Sequence, residues 1–233
     1  MLVLVLAESA LETVPKDLWD HPAVQKHSRR RKKHPSVTIL DRSYHHAAMN
    51  LLNESQKRGR PDIVHFSLLE ALGSPLNKEG LLKVYVHTIN DYAISVAPET
   101  RLPRNYDRFI GLMEQLFEVG TAPQTGQGLL KLERKNMRQL INGINPTRII
   151  AFSRIGSPMA LRDIIGKFSA ERRLMAIVGG FPKGHFSPAT ASLADNVFSI
   201  DYEMLETWTV ASRVIYEYER TISLDKKRLK HPS

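Results

Sequence analysis

Residues 2–6 read Leu2-Val3-Leu4-Val5-Leu6, and this unbroken apolar run decides the fold class. A run of this length without polar alternation is typical of a strand that is covered on both faces. Helical patterns alternate with it and with comparable runs at Val37–Leu40, Arg148–Phe152, Leu174–Val178 and Asn196–Ile200. This alternation predicts an α/β fold in which a mostly parallel sheet is flanked by helices.

Turn and cap signals predict the remaining elements. Lys83–Thr88 and Tyr92–Val96 flank Asn90-Asp91, which predicts a β-hairpin around residues 83–96. A loop is expected at residues 121–128, before a short strand at Leu129–Leu132. Helices are expected from Asp41-Arg42-Ser43 through Leu52, from Asn105 to Val119, from Asn136 to Ile144, after Ser157-Pro158 and from Met204 to about Glu219. No Gly/Ser-rich or Pro-rich stretch separates two cores, so residues 1–233 are expected to form a single domain.

The composition is that of an ordinary globular protein with a basic surface. The 233 residues are 42% hydrophobic and 24% charged, and the net charge of +9 favours a polyanionic partner such as nucleic acid. The absence of cysteine excludes a disulfide framework, a thiolate zinc site and a cysteine nucleophile. No apolar run approaches the length of a signal core or a membrane span, so we expect a cytoplasmic protein without a membrane partner.

The positive charge is concentrated in two segments. Residues 16–35 hold seven Lys or Arg against two acidic residues, and residues 220–233 hold five against one. The run His27–His34 in the first segment predicts a basic loop around residues 26–35. Two interpretations stay open, a solvated loop and a contact with the phosphates of RNA or DNA.

Several familiar sites are excluded by their motifs. Leu6 is followed by Ala-Glu-Ser-Ala, which lacks the G-x-G turn of a classical dinucleotide site. The chain also has no P-loop ending in Gly-Lys-Ser/Thr and no H-E-x-x-H zinc signature. We therefore expect no metal site, although the chain has nine histidines.

Three strand-end segments suggest a binding pocket. Val178–Gly184 contains three glycines after a buried strand, at the edge where open parallel sheets bind ligands. Ser153 and the segment Ile200–Leu205 follow two other predicted strands, and the apolar side chains of that segment are suited to a flat ring such as adenine. Two alternatives stay open: the glycines form only a turn, and the apolar residues belong to the core.

Arginines form a second group. Arg101, Arg104 and Arg108 are three and four residues apart, which places them on one side of a helix start where they match phosphate geometry. Arg60 precedes Asp62 at a spacing that lets the carboxylate orient the guanidinium. The alternative is a set of solvated arginines on a helix.

Four linked motifs resemble the Nep/Emg family of ribosome-biogenesis methyltransferases. They occur in the family's order within residues 2–216, and together they are far more specific than any one alone. The motifs are Thr38–Met49 with Asp41-Arg42-Ser43 and His45-His46, Arg60-Pro61-Asp62-Ile63, Ser74–Gly80 with Ser74-Pro75-Leu76-Asn77, and Arg101–Met113 with Asp107-Arg108-Phe109.

The resemblance implies a specific activity and fold. The family belongs to the SPOUT class, whose members are homodimers with a C-terminal trefoil knot, a rare exception to normal chain topology. The activity it implies is S-adenosylmethionine-dependent methylation of N1 of a pseudouridine in a small-subunit ribosomal RNA hairpin. A non-catalytic rRNA-binding assembly factor and a SPOUT methyltransferase acting on a ribose 2′-hydroxyl are the alternatives.

The resemblance also assigns residues. It implies RNA contacts from Arg60, Arg101, Arg104 and Arg108, and makes Asp62 the residue that steadies Arg60; Arg60 and Asp62 are the catalytic candidates. The expected cofactor contacts are Phe152, Gly179, Gly180, Gly184, Ile200, Asp201, Tyr202, Glu203, Met204 and Leu205. Many relatives carry Asp where this chain has Gly73, so a proton-accepting role there cannot be transferred.

The substrate nitrogen sets the chemical demands. N1 of pseudouridine must lose its proton at or near methyl transfer, so the base needs accurate positioning and stabilisation of developing negative charge. Arg60 is the candidate for that stabilisation. Asp62 is the nearest candidate base, but a carboxylate engaged by arginine is a poor proton acceptor, and we expect that no strong base is needed.

Overall fold

The computed structural model describes residues 1–123 and 128–230. Its strands are β1 (Leu2–Ser9), β2 (Leu82–Thr88), β3 (Tyr92–Val96), β4 (Thr121–Ala122), β5 (Leu130–Arg134), β6 (Arg148–Pro158), β7 (Leu174–Gly179) and β8 (Asn196–Ser199). Its helices are α1 (Pro22–Arg31), α2 (Arg42–Met49), α3 (Pro61–Gly73), α4 (Pro75–Lys78), α5 (Tyr106–Val119), α6 (Met137–Ile144), α7 (Leu161–Phe168), α8 (Pro188–Ala191), α9 (Thr207–Thr221) and α10 (Leu224–Lys230). Residues 124–127 of the predicted loop and residues 231–233 of the basic C-terminal segment lie outside the described residues.

The strands form one sheet in the order β4-β5-β3-β2-β1-β7-β6-β8. The four pairs β1/β2, β1/β7, β6/β7 and β6/β8 are parallel, and the other three are antiparallel. The predicted α/β fold with a mostly parallel sheet is therefore confirmed. The predicted hairpin is also confirmed, because β2 and β3 pair antiparallel with Val84 opposite Val96.

Strand β1 lies in the middle of the sheet and supplies both layers of the core. Leu2, Leu4 and Leu6 point into a cluster with residues of α3, α5, α7 and α9. Val3 and Val5 point into a cluster with α6 on the other face. All five side chains are fully buried, as the unbroken apolar run predicts for a strand that is covered on both faces.

A third cluster joins α1 and α2 beside the sheet. Val24 of α1 packs there with Leu40 and with Ala48 and Met49 of α2. The strand predicted at Val37–Leu40 is wrong, because Pro35 opens a 3₁₀ helix that runs to Val37. Ile39 and Leu40 of this run are buried in two different clusters, a pattern that periodicity does not distinguish from a strand.

The predicted basic loop around residues 26–35 is wrong over residues 26–31, which belong to α1. The His21 side chain caps this helix by accepting a hydrogen bond from the Ala23 N–H, and Pro22 occupies its first turn. Lysine and arginine are good helix formers, so only their mutual repulsion opposes the helix. Lys32 has φ 54° and ends it.

Two helix boundaries also differ from the prediction. Ser157 and Pro158 do not open a helix, because they extend β6 and lie opposite Phe198 and Ser199 of β8. Helix α7 begins only at Leu161. Helix α9 begins at Thr207, three residues after the predicted start, so the segment that follows β8 stays non-helical.

Strand β6 approaches β8 closely at an irregularity in their pairing. Phe198 lies opposite both Phe152 and Ser157, so residues 153–156 of β6 form a bulge in its pairing with β8. A Cβ atom at Gly156 would lie 2.6 Å from the carbonyl carbon of Phe198. Because backbone cannot move aside as a side chain can, only glycine fits this position.

Replacing Gly156 with Ala should therefore reduce the free energy of unfolding by about 2 kcal/mol, the usual scale of overpacking. The control is Gly166→Ala in α7, where an added Cβ would meet no atom within 4 Å and where alanine favours the helix. Urea denaturation of both variants measures the difference. Equal stability of the two variants would contradict the close contact between Gly156 and the Phe198 backbone.

Candidate active site

A cavity opens where β6 leaves its pairing with β7 after Phe152 and where β7 and β8 end. Its volume is about 200 Å³, and its walls come from the segments after the three strands and from the first turn of α9. Apolar Phe152, Ile200, Leu205 and Val210 lie among charged residues such as Glu206. This position, at the carboxyl edge of parallel strands, is where open α/β sheets bind ligands.

Eight of the ten predicted cofactor residues line the cavity. These are Phe152, Gly179, Gly184, Ile200, Asp201, Glu203, Met204 and Leu205. Gly180 and Tyr202 do not line it, and Tyr202 is 87% exposed. The structure therefore brings together the three strand-end segments that the sequence singles out.

The two adjacent glycines after β7 have different surroundings. The Gly179 carbonyl oxygen accepts a hydrogen bond of 2.7 Å from Thr207 Oγ1, which joins the loop to the start of α9. A Cβ at Gly180 would lie 2.1 Å from Ser9 Oγ, so close packing against β1 explains this glycine. Gly184 has φ 101°, a conformation that L side chains rarely adopt.

A buried ion pair holds the loop 181–187 that forms one wall of the cavity. Glu8, at the end of β1, accepts hydrogen bonds from Ser187 N at 2.9 Å and from Ser187 Oγ at 2.6 Å. Lys57 Nζ lies 3.3 Å from Glu8 Oε2 and 4.9 Å from the ring centroid of Phe181. The pair therefore contacts both ends of the loop.

The electrostatics of Glu8 agree with this role. Burial alone would raise its pKa, but hydrogen bonds from Ser187 and Thr190 and the charge of Lys57 hold the pKa below its ordinary value. The charged form of Glu8 is thus the form that the folded protein stabilises. Sequence reasoning missed Glu8 and Lys57, although Glu8 is the first polar residue after the central apolar strand.

Arg60 and Asp62 form a fork-like pair at the start of α3. Arg60 Nε donates to Asp62 Oδ1 at 2.8 Å, and Arg60 Nη2 donates to Asp62 Oδ2 at 2.7 Å. The hydrogen bonds to Asp62 are the main reason why the pKa of Arg60 is raised, and the carboxylate of Glu206 in the cavity wall raises it further. The bidentate geometry fixes the plane of the guanidinium.

Parallel packing of α3 and α9 places this pair beside the cavity. Phe66 meets Trp208 with ring centroids 5.4 Å apart, and Ser212 Oγ donates to Glu70 at 3.3 Å one turn further along both helices. The two helices therefore start at the same edge of the sheet. Arg60 precedes the first turn of α3, close to the point where α9 leaves the cavity.

Two of the other three predicted RNA-binding arginines, Arg101 and Arg104, lie on the segment that leads into α5, and Arg108 lies in the first turn of α5. His65 Nε2 donates to the Pro103 carbonyl oxygen at 2.7 Å, which fixes this segment against α3 one turn after Asp62. Arg101, Arg104 and Arg108 are exposed, and the ion pairs formed by the described residues involve none of the three. The segment that carries Arg101 and Arg104 thus packs against α3, the helix that Arg60 precedes.

A buried chain of polar groups supports this region. The Asp41 N–H donates to His45 Nδ1 at 3.0 Å, so the proton of neutral His45 is on Nε2, which donates to His27 Nδ1 at 2.9 Å. Asp41 Oδ2 accepts a hydrogen bond of 2.5 Å from the hydroxyl of Tyr106 in the first turn of α5. Burial, reinforced by neighbouring His27, lowers the pKa of His45 to about 4. The chain thus connects α1, α2 and α5.

Neither a metal-binding cluster nor a membrane-spanning helix is found in the part of the chain that the structure describes. Within residues 1–123 and 128–230, no three His, Asp or Glu side chains are grouped so that they could hold a metal ion. No helix in the same two ranges is long and apolar enough to span a bilayer.

Comparison with known proteins extends the resemblance seen in the motifs. Residues 4–219 match a family model described as EMG1/NEP1 methyltransferase. The chain is 46% identical to the "Ribosomal RNA small subunit methyltransferase Nep1" of Thermococcus kodakarensis, over 96% of this chain and 100% of the relative. It is also 46% identical to the Pyrococcus furiosus protein of the same name, over 94% of this chain and 96% of that protein.

A solved structure agrees with these sequence matches. The chain superposes with a TM-score of 0.84 on Archaeoglobus fulgidus Nep1 bound to S-adenosylhomocysteine, at 37% identity. The match covers 95% of this chain and 98% of that one. The family resemblance predicted from the four motifs is therefore confirmed.

The Glu8→Gln variant should loosen the loop 181–187 without unfolding the sheet. The substitution removes the negative charge of the carboxylate that accepts hydrogen bonds from Ser187 and pairs with Lys57. A hydrogen bond to a charged group contributes about 1.5–3 kcal/mol. We expect the Ser187 amide to exchange its hydrogen at least about tenfold faster by mass spectrometry. The matched control is Glu133→Gln, which removes an exposed pair with Lys135. Equal exchange of Ser187 in both variants would refute the anchor.

The depressed pKa of His45 predicts a pH dependence of stability. The unfolded chain takes up a proton at this residue near pH 6.5, whereas the folded protein does so only near pH 4. The free energy of unfolding should therefore fall from pH 6.5 towards 4, by about 3 kcal/mol at most. In His45→Gln this part of the decline should be absent, and urea denaturation across that range measures it. Parallel pH profiles for the two proteins would show that His45 does not contribute.

Proposed function

The chain belongs to the EMG1/NEP1 methyltransferase family, and on this basis we propose that it methylates N1 of a pseudouridine in small-subunit ribosomal RNA, using S-adenosylmethionine, during ribosome biogenesis. The observation that carries the proposal is the position of the Arg60–Asp62 pair beside the cavity at the ends of β6, β7 and β8. In this arrangement the methyl donor binds in the cavity, and the target base binds beside it at Arg60.

The residues of the cavity fit S-adenosylmethionine. Ile200, Leu205 and Val210 offer apolar contacts for the adenine ring, and the glycine backbone of Gly179 and Gly184 allows close approach to it. The cofactor, when bound, supplies an electrophilic methyl group on a sulfonium sulfur. In support of this assignment, the related Archaeoglobus fulgidus structure contains S-adenosylhomocysteine.

Arg60 is proposed to stabilise the target base as negative charge develops on it. The reaction forms a bond from N1 to the methyl carbon, breaks the sulfur–methyl bond and releases the N1 proton. A guanidinium that Asp62 already orients in two hydrogen bonds needs little rearrangement to face that charge. Its raised pKa keeps it charged.

Asp62 is proposed as a positioning residue and not as a general base. Both carboxylate oxygens of Asp62 already accept a hydrogen bond from Arg60. Neither oxygen is therefore reserved for accepting a proton from the substrate. The released proton passes to solvent in this proposal. Most of the rate acceleration then comes from the orientation of the base and from the electrostatics of Arg60.

Arg101, Arg104 and Arg108 are proposed to bind the phosphates of an RNA hairpin. Their exposed guanidinium groups are supported by the segment that His65 fixes at Pro103. Phosphate contacts position the RNA, while the target nucleotide must be looped out for N1 to reach the cavity. We also propose that the protein acts in the cytoplasm.

The remaining implications of the family resemblance are proposals too. A trefoil knot of the SPOUT class in the C-terminal part of the chain is proposed because the family resemblance implies it. Continuity of the single sheet supports one domain across the chain. Exposed apolar side chains near the cavity, Ile155 at 69% and Met204 at 60% exposure, support the proposed homodimer.

The proposed activity is tested by incubating the protein with S-adenosylmethionine and a hairpin that carries pseudouridine in its loop. Digestion and mass spectrometry of the nucleosides should recover N1-methylpseudouridine. A methyl group on the ribose would replace the proposal by 2′-hydroxyl methylation. Binding of the hairpin without any methylated nucleoside would favour a non-catalytic assembly factor.

The proposed role of Asp62 is tested by Asp62→Asn. Because Asn keeps one oxygen to accept from Arg60, the rate of methyl transfer should fall by about tenfold, the loss expected for one charge-assisted hydrogen bond. S-adenosylmethionine and RNA affinity should stay within about twofold, since the variant leaves the cavity and the other arginines intact. Single-turnover kinetics separate these effects. Complete loss of transfer with both affinities intact would identify Asp62 as an essential base.

A further inference from the structure

The exposed side of α1 carries three cations at helical spacing. Lys26, Arg29 and Arg30 are three and four residues apart, so they share one face of the helix, and all three are exposed. The ion pairs among the described residues involve none of them. Like charges at this spacing destabilise a helix, so stability does not explain the stripe.

A buried carboxylate fixes this helix to α5. Glu114 has a side chain that is 1% exposed, and Oε2 accepts from Arg31 Nη2 at 2.7 Å and from Lys33 Nζ at 2.6 Å. Arg31 and Lys33 both pair with one buried carboxylate. Loss of either cation would therefore leave the negative charge of Glu114 poorly compensated. The carboxyl end of α1 is therefore held at a set place on α5.

That place adjoins the proposed RNA-binding arginines. Glu114 follows Arg108 by six residues, which is about 9 Å along the axis of α5. The acidic residues of the first basic segment, Asp17 and Asp20, lie before the start of α1, at the end away from the stripe. The cations of α1 thus lie on a helix whose carboxyl end is fixed to α5, the helix that carries Arg108.

Arg30 is held in position before any partner binds. Its guanidinium carbon lies 5.5 Å from the ring centroid of Tyr44, and that ring stacks on His27 at 4.2 Å. Tyr44 is 38% exposed, so one face of the stack remains at the surface. A guanidinium already held by an aromatic ring loses less freedom on binding a phosphate.

We propose that the stripe Lys26, Arg29 and Arg30 of α1 binds phosphates in the double-stranded stem of the substrate RNA hairpin. The inference rests on the proposed function, because it assigns a second contact surface for the same RNA. A rigid helix with fixed cation spacing suits a duplex, whose phosphates have fixed positions, better than a flexible single strand. These contacts read shape and charge and carry no sequence information.

The test compares two triple variants that lose the same charge. Lys26→Ala with Arg29→Ala and Arg30→Ala removes the stripe and leaves Arg31 and Lys33 on Glu114. The control, Lys78→Ala with Lys226→Ala and Lys227→Ala, removes exposed cations of α4 and α10, beyond the carboxyl end of α3 and thus at the end of that helix opposite Arg60. Thermal unfolding and S-adenosylhomocysteine titration check that both variants keep the fold and the cavity.

Fluorescence anisotropy with a labelled pseudouridine hairpin, measured over a series of KCl concentrations, gives the result. The stripe variant should bind at least about tenfold more weakly than the control, and its salt slope should fall by roughly 0.9 for each phosphate that the variant no longer neutralises. A version of the hairpin with a shortened stem should bind the parent and the stripe variant equally.

The outcomes separate this inference from the proposed function. Equal affinity and equal salt slope of the two variants on the long stem would overturn it, and so would an unchanged deficit of the stripe variant on the short stem. Failure of the parent protein to bind or methylate either hairpin would instead count against the proposed function.

Discussion

Strand β1 pairs with β2 on one side and with β7 on the other, while its side chains fill both layers of the core. The alignment of these three strands brings their carboxyl ends to one edge. Glu8 at the end of β1 then reaches Ser187 in the loop after β7. The cavity wall and the position of α9 follow from this alignment, because Thr207 bonds to the Gly179 carbonyl directly beyond β7.

The elements best predicted from the sequence are those whose pattern is local. The apolar run of β1, the glycines after β7 and the capped start of α5 at Asn105 each carry their own signal. Motif resemblance adds Arg60 and Asp62, whose pairing depends on only two residues of spacing. These predictions concern short stretches of chain, where spacing alone determines which side chains can meet.

The failures involve contacts between distant parts of the chain. Residues 26–31 read as a repulsive basic loop because Glu114, the carboxylate that pairs with Arg31 and fixes the end of α1, lies 83 residues away. Val37–Leu40 reads as a strand because periodicity does not show that its apolar residues enter two clusters. The Glu8–Lys57 pair was missed for the same reason, since its residues are 49 positions apart.

Buried and exposed charged groups have different roles at the site. Buried ionic groups such as Glu8 and Glu114 fix the relative positions of loops and helices, where an uncompensated charge would be costly. Exposed arginines next to them keep their charge for a polyanionic partner. The excess positive charge of the chain is divided between residues 16–35 and residues 220–233, and the first of these segments includes exposed cations of α1.

The central claim is that the ends of β6, β7 and β8 form a site for S-adenosylmethionine. Hydrogen exchange of the folded protein, measured with and without saturating S-adenosylmethionine, tests it most directly. The account predicts slower exchange in the segments that follow these three strands, including 179–187 and 200–207. Unchanged exchange in these segments, or protection confined to another part of the molecule, would contradict it.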